Sequence, residues 1–259
     1  MKRTSKLIFS ASAALVIAGS AMPVLAVDVS PPSENSTTFC ANLSSKISDV
    51  NNSISKQQAN ITAARAKRTQ YLNTDWSKVD SKLADERGGW AKWRQQQFTT
   101  LEAKATTDAQ KTAVQTYVTT LTTAISTRES ANDAARTTYR NALLAAVNAQ
   151  NATVDSQISA LTSAVSTAEA TAQSSCATSP NNTSIRTTFI AAMKSARQTF
   201  TSARKADDNL ASQRNALGKE RDVTIHANEL AFKNAENAAT KALMSAFPSS
   251  SSSDQPPAQ

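Results

Sequence analysis

Glycine and proline are scarce in this chain of 259 residues, which holds four glycines and seven prolines. Between residues 33 and 247 the only proline is Pro180, and the only glycines are Gly88, Gly89 and Gly218. A protein built from sheets needs many turns, and turns depend on these two residue types, so the composition excludes a β-rich fold. Aromatic residues are also few, at 5%. Alanine supplies much of the apolar content and buries little area per residue, so we expect helices around a thin core.

Groups that carry out enzyme chemistry are equally few. The single histidine, His226, has no second histidine or cysteine at the spacing of a metal site, and it is interpreted as an ordinary surface or seam residue. The chain has no glycine-rich phosphate loop and no nucleophile elbow. The adjacent carboxylates Asp85-Glu86 and Asp207-Asp208 point apart on a helix and are interpreted as solvated charges. The sequence therefore predicts no catalytic residue, no cofactor and no metal.

The first 26 residues have the pattern of an export signal. A basic start, Met1 to Lys6, precedes an apolar run from Leu7 to Ala21. Val24-Leu25-Ala26 supplies the small residues that signal peptidase accepts, which predicts cleavage after Ala26 and a flexible segment over 27–36. The alternative is an uncleaved anchor, but the apolar run is short for a membrane span. We therefore expect an exported protein without a transmembrane span after cleavage, in a compartment where disulfides persist.

The first predicted helix runs over about 37–105. Its apolar residues recur with alternating spacings of three and four, which is typical of a coiled-coil seam, the line of residues along which two helices pack. Thr107 followed by Gln110 fits a capping box and predicts a turn before the next helix. The seam residues predicted in this helix are Cys40, Leu43, Ile47, Val50, Ile54, Gln57, Ile61, Ala64, Arg68 and Tyr71, continued by Leu72, Trp76, Val79, Leu83, Glu86, Trp90 and Trp93.

The second predicted helix covers about 108–175. Its clearest seam runs from Leu144 to Ala172, with branched residues at position a, leucine at d, and Asn151 at an a position. This pattern is typical of two-stranded, in-register pairing and suggests a parallel homodimer. The alternative is that the same seam packs against the first helix of its own chain, with Asn151 tolerated.

A third helix is predicted over about 184–247, with a seam that begins at Phe189 and Met193 and includes Asp207. Pro248 ends it, and the serine- and proline-rich residues 248–259 are predicted to be a disordered tail. The predicted fold is all-α, an elongated antiparallel three-helix bundle resembling a coiled coil over residues 37–247. At 1.5 Å per residue each helix would be roughly 100 Å long.

The two cysteines, Cys40 and Cys176, lie 68 residues on either side of Asp108, at the predicted turn. An antiparallel hairpin therefore brings them level, and an oxidising compartment favours an intramolecular disulfide. An intermolecular bridge and free thiols remain the alternatives.

Positive charge is unevenly distributed. The chain carries 28 basic and 20 acidic residues, and residues 186–206 contain five basic residues and no acid. This basic stripe suggests binding to envelope polyanions or lipid headgroups, without sequence-specific recognition of nucleic acid. The alternative is a solvated face that limits aggregation. The stripe consists of Arg186, Lys194, Arg197, Arg204 and Lys205.

The three tryptophans lie close together in the first predicted helix. Trp76, Leu83 and Trp90 repeat every seven residues beside Gly88-Gly89, and Trp93 follows. We expect them to be core residues facing an alanine-rich neighbour. The alternative is an exposed binding surface where a partner approaches the glycines.

The layout also resembles a known group of proteins. An export signal, Phe39-Cys40 at the start of a long helix, and a second cysteine before a last helix rich in Arg, Phe and Ala are similar to uncharacterised secreted all-helical proteins of ultrasmall bacteria of the candidate phyla radiation. The chain departs from that group in being rich in Thr, Ser and Asn rather than Glu, Lys and Arg. The group has no established activity, so the resemblance implies location and shape only.

Together these patterns predict an exported, non-enzymatic structural or adhesive helical rod of the cell envelope, outside the cytoplasm. The alternative function is a polyanion- or membrane-surface-binding protein that uses the basic stripe. Its expected partners are envelope polyanions or another protein, with a homodimer through the seam from Leu144 to Ala172 as a further option.

Overall fold

A computed structural model describes residues 36–206 and 209–247. The predicted signal peptide, most of the segment 27–36, the predicted tail 248–259, and Asp207 and Asp208 lie outside these residues. The predictions made for them stay predictions.

Four helices make up the described chain: α1 (Ser36–Lys104), α2 (Asp108–Thr178), α3 (Ser184–Ala206) and α4 (Leu210–Ala246). The described residues contain no strand, and the predicted all-α helical bundle is confirmed. The first two helices begin and end within three residues of their predicted bounds. Over the range 184–247, where one helix is predicted, the described residues form α3 and α4.

The turn between α1 and α2 is held by the predicted capping box. The backbone N–H of Gln110 donates to the Thr107 hydroxyl at 3.2 Å, and the N–H of Thr107 donates to the Gln110 side-chain oxygen at 3.2 Å. These bonds satisfy backbone donors that the first turn of a helix otherwise leaves unpaired. They explain why α2 begins at Asp108.

The chain divides into two compact units. The first is Met1–Leu72 with Gln150–Ala211, and the second is Asn73–Ala149 with Ser212–Gln259. Each therefore combines one segment of α1, one of α2 and one of the later helices.

The first unit has a continuous apolar core. Residues from α1, α2 and α3 meet there, and the Phe39 and Phe189 rings lie 5.8 Å apart. Burial of this kind contributes about 25 cal/mol for each Å² of apolar surface removed from water. The buried members are Phe39, Leu43, Val50, Ile54, Leu161, Val165, Ala168, Ala172, Ile185, Phe189, Met193 and Ala196.

Cys40 and Cys176 form the predicted intramolecular disulfide, with their Cα atoms 5.5 Å apart. The antiparallel register of α1 and α2 continues along the unit. Asn51 donates to Glu169 at 3.4 Å, and Arg65 pairs with Asp155 at 2.9 Å. The α2 partner falls in number as the α1 residue rises, as antiparallel packing requires.

The α2 seam is used inside the chain. Val147, Val154, Leu161, Val165, Ala168 and Ala172 are buried, while Leu144, Asn151 and Ile158 are half-buried. The last four of the buried residues belong to the core shared with α1 and α3. Of the two interpretations of this seam, the burial supports packing within one chain.

The second unit has a smaller apolar core and more polar contacts. Phe98, Leu121 and Ile125 form its buried cluster, with Phe232 of α4 packed against it. The buried Asn132 of α2 donates to Glu229 at 3.2 Å and accepts from Asn228 at 2.9 Å. Buried amides need such partners, since an unsatisfied polar group costs about 1–3 kcal/mol. The network therefore helps to set the register between α2 and α4.

Cation–π contacts add to the pairing of α2 with α4. The Arg128 guanidinium lies 4.3 Å from the centre of the Phe232 ring, and that of Arg221 lies 4.7 Å from the centre of the Tyr139 ring. Arg128 also pairs with Glu229 at 3.5 Å. A cation over an aromatic face contributes roughly 0.5–1 kcal/mol at exposed sites.

Two bidentate ion pairs join α1 to α2 in the second unit. Arg87 donates to both carboxylate oxygens of Asp133 at 2.8 and 2.7 Å, and Arg140 donates to those of Asp80 at 2.8 and 2.6 Å. The hydrogen bond from Arg87 lowers the pKa of Asp133, and the bond from Arg140 lowers the pKa of Asp80. Each carboxylate is therefore more readily ionised in the folded chain than in the unfolded one.

The later half of the α1 seam is the part of the prediction that was wrong. Val79, Trp90 and Trp93 are 42%, 60% and 51% exposed, and Glu86 is exposed as well. A straight α-helix falls back about 20° in each heptad relative to a strict seven-residue repeat. From Leu72 to Trp93 the drift reaches about 60°, so residues one position later turn inward. These are Arg87 and Arg94, half-buried, and Phe98, buried.

The disulfide is expected to stabilise the fold substantially. C40S/C176S should lose up to about 4–5 kcal/mol of unfolding free energy, because the bridge joins residues 136 apart and restricts the unfolded chain. Urea unfolding of the oxidised, reduced and variant proteins measures this. Wild type in reductant is the matched control and should unfold like the variant. An unchanged midpoint, or a disulfide-linked dimer on a non-reducing gel, would contradict the expectation.

The Arg87–Asp133 pair should make stability depend on pH. Because the pKa of Asp133 is lowered in the folded state, its contribution is present above the unfolded value near 4 and is lost as pH falls through the folded value. D133N should cost less than about 1 kcal/mol at neutral pH, since the pair is half-exposed. The gap from wild type should close near pH 2.

Asp85 gives the control for this measurement. It is exposed on the same helix and no ion pair is seen for it among the described side chains. D85N should leave the pH profile of unfolding as in wild type. A D133N deficit of equal size at neutral pH and at pH 2 would show that the ion pair is not its cause.

Candidate functional surfaces

The basic stripe lies along α3, in the first unit. Ile185, Phe189 and Met193 face the core, and this burial directs the intervening charged residues toward the flanks of the helix. Lys194 and Lys205 are exposed, whereas Arg186, Arg197 and Arg204 are half-buried, and Arg186 has a further interaction within the chain.

Two arginines of α1 adjoin the end of this stripe. Arg65 is held by Asp155 and by the backbone oxygen of Asn151 at 2.9 Å, and the neighbouring Arg68 donates to Gln150 at 3.4 Å. Burial lowers the pKa of Arg68, and the positive charges of Arg65 and Arg204 lower it further. Three guanidiniums from α1 and α3 therefore share one electrostatic neighbourhood.

The sequence alone did not indicate this arginine cluster. Arg68 stands at a predicted seam position of α1, far from α3 in the chain, and an arginine there was the available signal. A charge on an apolar seam needs either a counter-charge or access to solvent. The structure supplies Gln150 and partial exposure.

A second surface is the exposed aromatic patch of α1, which we define as Trp90, Lys92, Trp93 and Arg94. The two indole rings meet edge to face, with centres 5.7 Å apart and planes at 90°. No atom lies within 4 Å of where a Cβ would stand on Gly88 or Gly89. The expectation that all three tryptophans are core residues was therefore wrong for Trp90 and Trp93.

Trp76 differs from the other two tryptophans. It is half-buried, and the Arg140 guanidinium lies 5.4 Å from its ring centre. Arg140 is itself held by Asp80, so this ring packs against a fixed charge on α2. Only Trp90 and Trp93 are free to meet a partner.

His226 lies exposed on α4. Within residues 36–206 and 209–247, no three side chains of His, Cys, Asp or Glu are grouped so as to hold a metal ion. None of the helices in the described part of the chain has the length and apolar character needed to cross a membrane.

The chain matches no protein-family model, no curated protein and no solved structure.

Proposed function

We propose that this protein is an exported, non-enzymatic structural or adhesive helical protein of the cell envelope. The observation that carries the proposal is the way in which α1 and α2 are fastened together. A disulfide and repeated ion pairs between the two helices hold one antiparallel register. Such an arrangement maintains the shape of long helices that enclose only a thin core.

The disulfide also supports a location outside the cytoplasm. Disulfides persist in oxidising compartments and are rare where thiols are kept reduced. The signal-like start of the chain points the same way, since a basic segment precedes an apolar run and a small-residue cleavage site.

Fractionation of the native cells with cross-linking tests this function. We expect the protein in the exported or envelope fraction, with Val27 at its N-terminus, Cys40 bonded to Cys176, and cross-links to envelope components. Recovery from the cytoplasm with Met1 retained and two thiols open to labelling would overturn the proposal. The thiol labelling is repeated after reduction, so that unreacted cysteines are known to be bonded.

Polyanion binding through the basic stripe is the second candidate. The observation that favours it is the position of Arg204, close enough to Arg68 for its charge to lower the pKa of that guanidinium. Clustered like charges raise the local potential and attract anions. An anionic polymer lying along α3 would relieve this repulsion.

Chromatography on heparin separates the two candidates. If the stripe is functional, wild type should be retained at low salt, released at moderate salt, and K194Q/R197Q/R204Q should not be retained, because counterion release drives such binding. K56Q/K67Q, which removes two exposed lysines of α1, is the control and should behave as wild type. Equal retention of wild type and the triple variant would leave the basic stripe as a solvated face.

A further inference from the structure

Exposed large apolar side chains are concentrated in the second unit. Among the described residues, Tyr71 of the first unit is exposed, whereas the second unit exposes Val79, Trp90, Trp93, Val223, Leu230 and Met244. Single exposed apolar residues are ordinary, but two adjacent tryptophans in contact with each other are not. The aromatic patch is therefore the surface most in need of an explanation.

We propose that the aromatic patch of α1 docks this protein on an anionic lipid surface. The two indoles would enter the boundary between headgroups and acyl chains, and Lys92 and Arg94 would meet lipid phosphates. This proposal deepens the proposed function by naming a partner for adhesion, and it uses a different surface from the basic stripe on α3.

Charge complementarity selects an anionic partner. From Arg87 to Leu101 the chain has three basic residues and no acid. Arg87 is neutralised by Asp133 and by Glu129, 3.9 Å away. Lys92 and Arg94 make no ion pair with any described side chain, so the patch carries two uncompensated positive charges.

The nearest acid on the exposed side does not cancel this charge. Glu86 lies one turn before Trp90, and Lys82 pairs with it at 3.8 Å across a single turn of helix. Such a pair is weak, but its net charge is zero. Anionic lipid therefore meets a positive patch next to a balanced pair.

The tryptophans select lipid among anionic partners. Indole has an apolar body and one N–H donor, and it prefers the membrane–water interface to either phase alone. A soluble polyanion would satisfy Lys92 and Arg94 but leave both rings in water. An anionic bilayer surface offers phosphate and an apolar boundary together, which matches all four side chains of the patch.

The patch is presented on a firm support. Both tryptophans lie within the continuous helix α1, and Arg87 on the neighbouring turn is fixed to α2 by two hydrogen bonds to Asp133. The rings need little ordering on binding, so little conformational entropy is lost. Gly88 and Gly89 have no side chains to hold a bilayer surface away from the rings.

Vesicle binding by the purified mature chain tests the proposal. Vesicles of phosphatidylcholine alone and of phosphatidylcholine with an equal amount of phosphatidylglycerol are separated from free protein by flotation. We expect binding to the anionic vesicles and little binding to the neutral ones. K92Q/R94Q should reduce partitioning roughly 25-fold, about fivefold for each cation removed. W90A/W93A should reduce it by more than about tenfold.

Tryptophan emission gives a second readout. The chain has three tryptophans, so in the W76F background all emission comes from Trp90 and Trp93. Anionic vesicles should shift this emission to shorter wavelength, and lipids brominated on the acyl chain should quench it. These signals report insertion of the rings themselves, which attraction of the whole basic protein to the vesicle would not produce.

Matched variants provide the controls. V223A/L230A removes two exposed apolar side chains from α4, and K56Q/K67Q removes two exposed lysines from α1. Both should bind anionic vesicles as wild type does. Circular dichroism of every variant should match wild type, because the substituted side chains lie at the surface.

Several outcomes would overturn the proposal. These are no binding of wild type to anionic vesicles, wild-type binding by W90A/W93A, and equal binding to neutral vesicles. Self-association that is lost in W90A/W93A, without vesicle binding, would assign the patch to a second copy of the chain. The assay uses purified protein, so failure here leaves the cell-fractionation result untouched, and a cytoplasmic location would leave vesicle binding untouched.

Discussion

The antiparallel register of α1 against α2 is the constraint on which the other features depend. At one end of the pair, Thr107 and Gln110 cap the turn, and at the other, Cys40 is bonded to Cys176. Between them, each polar residue on one helix must meet its partner on the other. A slip by one residue would turn both contact faces by about 100° and separate every ion pair at once. The register is therefore specified many times over, by contacts that are individually weak.

The two units use different physical means to hold this register. The first relies on an apolar core, with aromatic and branched residues from three helices. The second relies on bidentate ion pairs, buried amides and arginines over aromatic rings, around a smaller core. Polar contacts are geometrically selective but contribute little net free energy in water. A surface with exposed apolar side chains occurs in the unit that buries fewer of them, and there the aromatic patch is available to a partner.

The three tryptophans show how far periodicity alone can lead. Heptad spacing placed Trp76, Trp90 and Trp93 on the contact face, and only Trp76 is packed there. The spacing was counted correctly, but an α-helix that does not supercoil to match it carries the repeat around its surface. Arg87 then faces α2 because Asp133 offers it a bidentate partner. A hydrophobic pattern cannot indicate that an ion pair will take the inward position.

Composition and spacing by themselves determined the all-α class, the ends of α1 and α2, the capped turn and the pairing of the cysteines. These are local properties, or follow from chain length, because breaker scarcity, capping chemistry and 1.5 Å per residue act without knowledge of distant contacts. Only the tertiary structure decided that the α2 seam packs within its own chain, that Arg68 lies near Arg204, and that Trp90 and Trp93 are exposed. Each of these depends on which residues distant in sequence come together, and on the helix rotation that satisfies most of them at once.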